Sequence, residues 1–330
     1  MKRNIYLPWV TALCFLSSAY AQGTNPLALK RTIAFPNVQG GFNHMSVDAE
    51  HQLLFAAAPS NNTLEIVDLN SGKRWRSLAG ERPAAARYAP EFKQLYVPRG
   101  QSLYIYDGKT FDQMTRIDLQ SNLDELHYDA RAQRLYVGCM ASGQTGIAVI
   151  AIPEGKLVGR IPLPAKPQGF AVELNGNRIF ANVPGMNQVA VLDRERLVAL
   201  DPWPLEDFQG NTPMGLDEEH HRLFVGARRP ARLLVLDTLT GKPVAAVEID
   251  GVADDLFYDA IRHRIYVSCG EGFVDVIEQQ DSDHYRRIAR VPTVAHAATS
   301  TFSAPLNGFY LGVPRRGNEP AEIRVFTLGN

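Results

Sequence analysis

One pattern recurs along the whole chain and restricts its fold more than any other feature. A short strand, an acidic turn and a second strand led by an aromatic repeat at Phe55, Tyr96, Tyr136, Phe180, Phe224, Tyr266 and Tyr310, spaced 41, 40, 44, 44, 42 and 44 residues apart. Leu or Ile precedes most of these aromatics, as at Leu95, Leu135, Ile179, Leu223 and Ile265. Seven residues upstream an acid stands in five copies, Asp48, Asp129, Glu173, Asp217 and Asp259. A third strand often ends in Asp, as at Asp68, Asp107, Asp193 and Asp237, where the chain turns into a fourth. Four short strands in roughly 42 residues is the period of a propeller blade. Helical periodicity is almost absent, and the coils of a β-solenoid are much shorter.

The seventh unit ends after a third strand, Glu322 to Leu328, close to the last residue, Asn330. The segment Leu29 to Phe35 is a free strand at the other end. Adding it to the last unit pairs both termini and removes two sheet edges. The sequence therefore predicts an all-β, seven-bladed β-propeller of four-stranded blades, its ring closed by the N-terminal strand.

Tyr136-Val137-Gly138-Cys139, Tyr266-Val267-Ser268-Cys269 and Val235-Leu236-Asp237-Thr238-Leu239-Thr240-Gly241-Lys242 resemble the YVTN repeat of exported, YncE-like bacterial propellers. The likeness covers nearly all of residues 22–330. The Asn in fourth place of the motif is replaced, by Cys at 139 and 269 and by Arg at 99. Gly-His and Trp-Asp pairs of the WD40 type are missing, as are Gly doublets of the kelch type. The resemblance implies a location outside the cytoplasm and a binding role, and it leaves nucleic acid open as a partner. Members of one fold differ in function, so no substrate transfers with it.

The first residues agree with export. Lys2 and Arg3 precede an apolar run from Ile5 to Leu16, and Ala19-Tyr20-Ala21 has the form of a cleavage site. Residues 1–21 read as a signal peptide cut before Gln22, giving a periplasmic or secreted monomer. The run is too short to span a bilayer, which takes about 20 residues. Removing the two leading cations takes the formal net charge from −1 to −3. Nothing in that balance favours nucleic acid or anionic lipid, so a charged site has to be local. Cys139 and Cys269 hold the same place in blades three and six, nearly opposite in the ring. That puts them roughly 20 Å apart at one strand spacing from the axis, too far for a disulfide. Two free thiols are expected.

Function in a propeller sits on the loops around the central channel. Residues ten to fourteen before each aromatic supply Asn43 and His44, Ala84 to Ala86, Asp124 and Glu125, Gln168 and Gly169, Thr212 to Met214, Asp254 and Asp255, and His296 with Thr299. His127 lies two residues past Glu125 and points inward if the strand alternates. Acids and imidazoles around one axis suit a small polar ligand or a divalent metal ion, with His44, Asp124, Asp254 and His296 as metal ligands. After the second strand, Arg99, Arg228 and Arg315 form a rim that would hold an anionic group through guanidinium forks.

The sequence has no nucleophile elbow, phosphate loop or Cys-x-x-Cys. The expected function is binding of a small polar or anionic molecule, a metal ion or a protein partner at the channel mouth. Two alternatives stand beside it. One is a metal-assisted lactone hydrolase or lyase with His44 or His296 as base. The other is a protein-interaction scaffold using the opposite face.

Overall fold

The computed structural model describes residues 25–329. The expected signal peptide and its cleavage point lie outside the described residues. Seven antiparallel sheets follow one another along the chain. In the fourth, the outer strand is split into Val198–Ala199 and Trp203–Pro204, both paired with Gln188–Asp193. The last sheet joins Thr299–Ser303, Gly308–Val313 and Ala321–Leu328 to the N-terminal strand Leu27–Phe35. Leu27 faces Leu328 and Phe35 faces Ala321. The ring is closed by the N-terminal strand, and the protein is a seven-bladed β-propeller.

Burial follows strand order within each blade. In the first blade the second strand, Leu53–Ala58, is buried at every position, whereas the outer strand, Lys73–Ala79, buries only Leu78. Middle strands are covered on both faces by neighbouring blades, so they need continuous apolar runs. All seven recurring aromatics are buried, none more than 3% exposed. Each pairs directly with an inner-strand residue nine positions upstream, as Tyr136 does with His127 and Tyr266 with Phe257. The apolar clusters lie between blades. Tyr136, Ile147 and Val149 of blade three pack with Phe170, Ile179 and Ala181 of blade four. Burying one such aromatic stabilises by roughly 1.5–3 kcal/mol.

The acids that punctuate the repeat act as turn caps. Asp68, Asp107, Asp193 and Asp237 each accept backbone N–H groups two and three residues ahead. Such side-chain bonds offer the backbone a turn in place of a continued strand. His51 and His220 lie at the opposite end of the inner strands from His44. Each is hydrogen-bonded through Nδ1 to the local acid, Asp48 at 2.7 Å and Asp217 at 2.8 Å.

Cys139 and Cys269 are free and buried. Burial pushes both thiols above their ordinary range; Arg160 beside Cys139 offsets this only in part, and Asp275 beside Cys269 adds to it. Since the thiolate is the reactive species, neither thiol should react with iodoacetamide in the native protein. Both should react in denaturant, and modification of either without unfolding would show that the second strands open.

Candidate functional site

A central cavity of about 550 Å³ runs along the inner strands. Its mouth is lined by His44 from blade one, Arg87 from blade two, Glu125 and His127 from blade three, and Asp254 and Asp255 from blade six. The paired acids stand inside strands, not in the turns that precede them. Asn122–Asp129 carries a β-bulge between Leu123 and Leu126, and Ala253–Asp259 carries one between Ala253 and Asp255. An extra bulge residue re-aims the neighbouring side chains. In both blades it delivers two adjacent acids to the channel end of the sheet.

Most mouth charges are paired. His44 Nδ1 lies 3.4 Å from Asp255 Oδ1. Asp255 Oδ2 accepts the backbone N–H of Ser300 at 2.6 Å, which fixes the carboxylate. Arg228 Nη2 donates to Asp254 Oδ1 at 2.7 Å while its Nε donates to the Ala253 carbonyl at 3.0 Å. Lys166 Nζ lies 2.5 Å from Asp124 Oδ2. Three groups are left over. Arg87 Nη2 donates to the Leu126 carbonyl at 3.0 Å, but its Nε is buried without a partner. Among the described residues, Glu125 and His127 meet their neighbours only through burial and charge, with no side-chain hydrogen bond.

Protonation follows from these neighbours. Burial alone would lower the His44 pKa, but the bond to Asp255 and the charges of Asp255, Glu125 and Asp124 together push it up to about 10. The Glu125 carboxyl is pushed up to about 7, first by burial and then by Asp255 and Asp124, against the pull of His44 and Arg87. Burial and the charge of Arg87 hold His127 down at about 3. Asp254 is raised by burial and by Asp255. At neutral pH the mouth therefore carries an imidazolium, a neutral imidazole and a carboxyl near its midpoint.

The other expected residues are placed as follows. Arg99 is 1% exposed and donates to the Leu78 carbonyl at 3.1 Å, so it is packed between blades one and two and not at a rim. It stands three residues after its aromatic, the offset of the two buried cysteines. Arg315 turns its guanidinium to the carbonyls of Val38 and Pro36. His296 is exposed on a turn, three residues upstream of Thr299, which holds the inner-strand register. Asn43 uses its backbone N–H to bond the Ala57 carbonyl at 2.8 Å. Of the four residues expected as metal ligands, His44 and Asp254 line the cavity while Asp124 is tied to Lys166. Among the described residues no three His, Cys, Asp or Glu side chains are grouped to hold a metal ion.

Arg87 is the mouth residue that the entry-turn alignment passes over. Blade two offers only Ala84 to Ala86 there. Arg87 sits nine residues before Tyr96 and pairs with it, the place His127 takes before Tyr136. Strand alternation, which gives His127 in blade three, finds Arg87 when it is applied to blade two.

No family model matches the sequence, and no curated protein matches it. Solved structures do resemble it in shape. A chain of the mitotic checkpoint complex crystal structure aligns with TM-score 0.78 at 13% identity, over 99% of this chain and 99% of that one. The WD40 repeats of RRP9 align with TM-score 0.79 at 11% identity, over 93% and 100%. A chain of Kuenenia stuttgartiensis hydrazine synthase aligns with TM-score 0.73 at 16% identity, over 84% and 92%. At such identities the likeness is one of fold. Among the described residues no helix is long and apolar enough to cross a membrane.

Proposed function

We propose that this protein is an exported propeller of the YVTN type that binds a small polar ligand in its central channel. The observation that carries the reading is Arg87 Nε, buried without a partner, beside two partly exposed side chains with no hydrogen bond of their own, Glu125 and His127, in a cavity of about 550 Å³. Ligand pockets commonly occupy about 300–1,000 Å³ and combine apolar walls with a few converging polar groups. A buried polar group without a partner is costly, so Arg87 Nε supports a ligand that completes it. Export is supported by the N-terminal pattern ending at Ala21-Gln22, and a mature chain starting elsewhere than Gln22 would count against it.

The hydrolase or lyase alternative draws less support. A base must accept a proton at working pH, whereas His44 is held as an imidazolium by Asp255 and His296 stands exposed on a turn outside the cavity lining. The rim of arginines for an anion is also weakened, because Arg99 is buried against the Leu78 carbonyl and Arg315 turns to the carbonyls of Val38 and Pro36. The test is a melting-temperature screen of the purified protein against amino acids, amines, polyols and sugars. At least one compound should stabilise the protein, and Glu125→Gln should remove that stabilisation. A ligand whose effect survives Glu125→Gln would place binding away from the channel mouth.

A further inference from the structure

Resting on that reading of the channel, we propose that its ligand is a small zwitterion, an amino-acid-like molecule whose ammonium docks on Glu125 and whose carboxylate docks on Arg87. The two side chains reach the cavity from neighbouring blades and feel each other's charge, yet make no contact. Every other charge at the mouth has a partner: His44 with Asp255, Arg228 with Asp254, Lys166 with Asp124. An acid and a guanidinium that share a cavity without touching select a molecule that gives a donor to one and an acceptor to the other.

Charge balance points the same way. At this end of the channel Asp124, Glu125, Asp254 and Asp255 are matched by His44, Arg87, Lys166 and Arg228 once His44 is protonated and Glu125 ionised; Asp217, Glu218 and Glu219 line the cavity elsewhere, Asp217 bonded to His220 and Glu218 to the Leu174 N–H. A ligand of zero net charge keeps that balance, whereas a lone cation or anion leaves one buried charge uncompensated. Between the mouth acids and Asp217, Glu218 and Glu219, which line the same cavity, the walls include Leu126, Phe170, Leu256, Phe257 and Phe302. They suit an apolar side chain. His127, neutral and 5.7 Å from the Phe170 ring centroid, adds a hydrogen-bonding edge without adding charge.

The test uses L-phenylalanine and L-leucine as probes, with phenethylamine, N-acetyl-L-phenylalanine, xylitol and glucose as comparisons. Affinity is read from ligand-induced melting shifts, which also report that each variant folds. The amino acids should stabilise the wild type. Losing either charge from the ligand should weaken binding about tenfold or more, the usual scale for a charged hydrogen bond. Glu125→Gln and Arg87→Met should each weaken L-phenylalanine to the same degree. If Arg87→Met does not melt cooperatively, Arg87→Lys keeps the charge but loses the fork and should still weaken binding. N-acetyl-L-phenylalanine or phenethylamine binding as tightly as L-phenylalanine would overturn the zwitterion. A polyol or sugar that binds through Glu125 while the amino acids do not would also overturn it, yet leave the channel as a ligand site. No stabilisation by any compound would sink both.

Discussion

Replacing Asp129 with Ala should destabilise the protein by about 3–5 kcal/mol, the range for removing one partner of a buried ion pair. Asp129 ends the inner strand of blade three, with no exposed side-chain surface. Its carboxylate accepts the Ala132 N–H at 2.9 Å and pairs with Arg194, a residue 65 positions on, in the hairpin of blade four. The Arg194 side chain is only 9% exposed. Without Asp129, its guanidinium stays buried between two blades with no counter-charge. Removing both charges should recover much of the loss, so Asp129→Asn with Arg194→Met is expected to be milder than the two single changes added together. A useful contrast is Glu278 with Arg286, 3.0 Å apart but with side chains 34% and 65% exposed. Exposed pairs contribute about 0–1 kcal/mol, so Glu278→Ala should stay in that range. Urea denaturation of the five variants decides the matter. A loss below about 1 kcal/mol for Asp129→Ala would mean that the blades separate easily at this contact.

The blades were legible in the sequence because they repeat. A β-strand has a period of two, and the repeat multiplies that weak local signal seven times. The aromatic at Tyr136 or Tyr266 thus marks a buried second strand with little ambiguity. The site was legible only in part, because side-chain direction depends on offsets of one residue. His44, Glu125 and Asp255 all stand eleven residues before their aromatic, and all line the cavity. His296 stands fourteen before, and it misses. The arginines after the second strand behave in the same way. Arg99, Arg228 and Arg315 stand three, four and five residues after their aromatics, and only Arg228 engages a mouth acid, Asp254. The bulges that bring forward Asp124-Glu125 and Asp254-Asp255 leave no glycine or proline in their own strands. Their trace in the sequence is the adjacency of the two acids itself.

Stability should fall as pH rises from about 6.5 towards 10, and His44 should account for most of that fall. The folded state raises this imidazole from 6.5 to about 10, so between those values the native protein keeps a proton that the unfolded chain has lost. The stabilisation is complete below 6.5 and disappears through the folded pKa. The groups facing His44 share in the titration. Glu125, raised from 4.5 to about 7, is also protonated in the native state where the unfolded chain is not, so it lowers stability as pH rises from 4.5 to 7. His127 acts in the opposite sense: held near 3, it costs stability as pH falls below 6.5. Between 4.5 and 6.5 these two oppose each other by one proton each, and stability should be nearly flat. Above 7 the slope belongs chiefly to His44 and should approach the one-proton limit of about 1.4 kcal/mol per pH unit. His44→Gln should flatten the alkaline limb and, by removing a cation that holds the Glu125 carboxyl down, move the Glu125 titration upward. Equal slopes for wild type and His44→Gln between about pH 7.5 and 9.5 would mean that Asp255 does not hold the imidazolium. In that case His44 would be free to accept a proton, and the channel would have to be reconsidered as a site of acid–base chemistry.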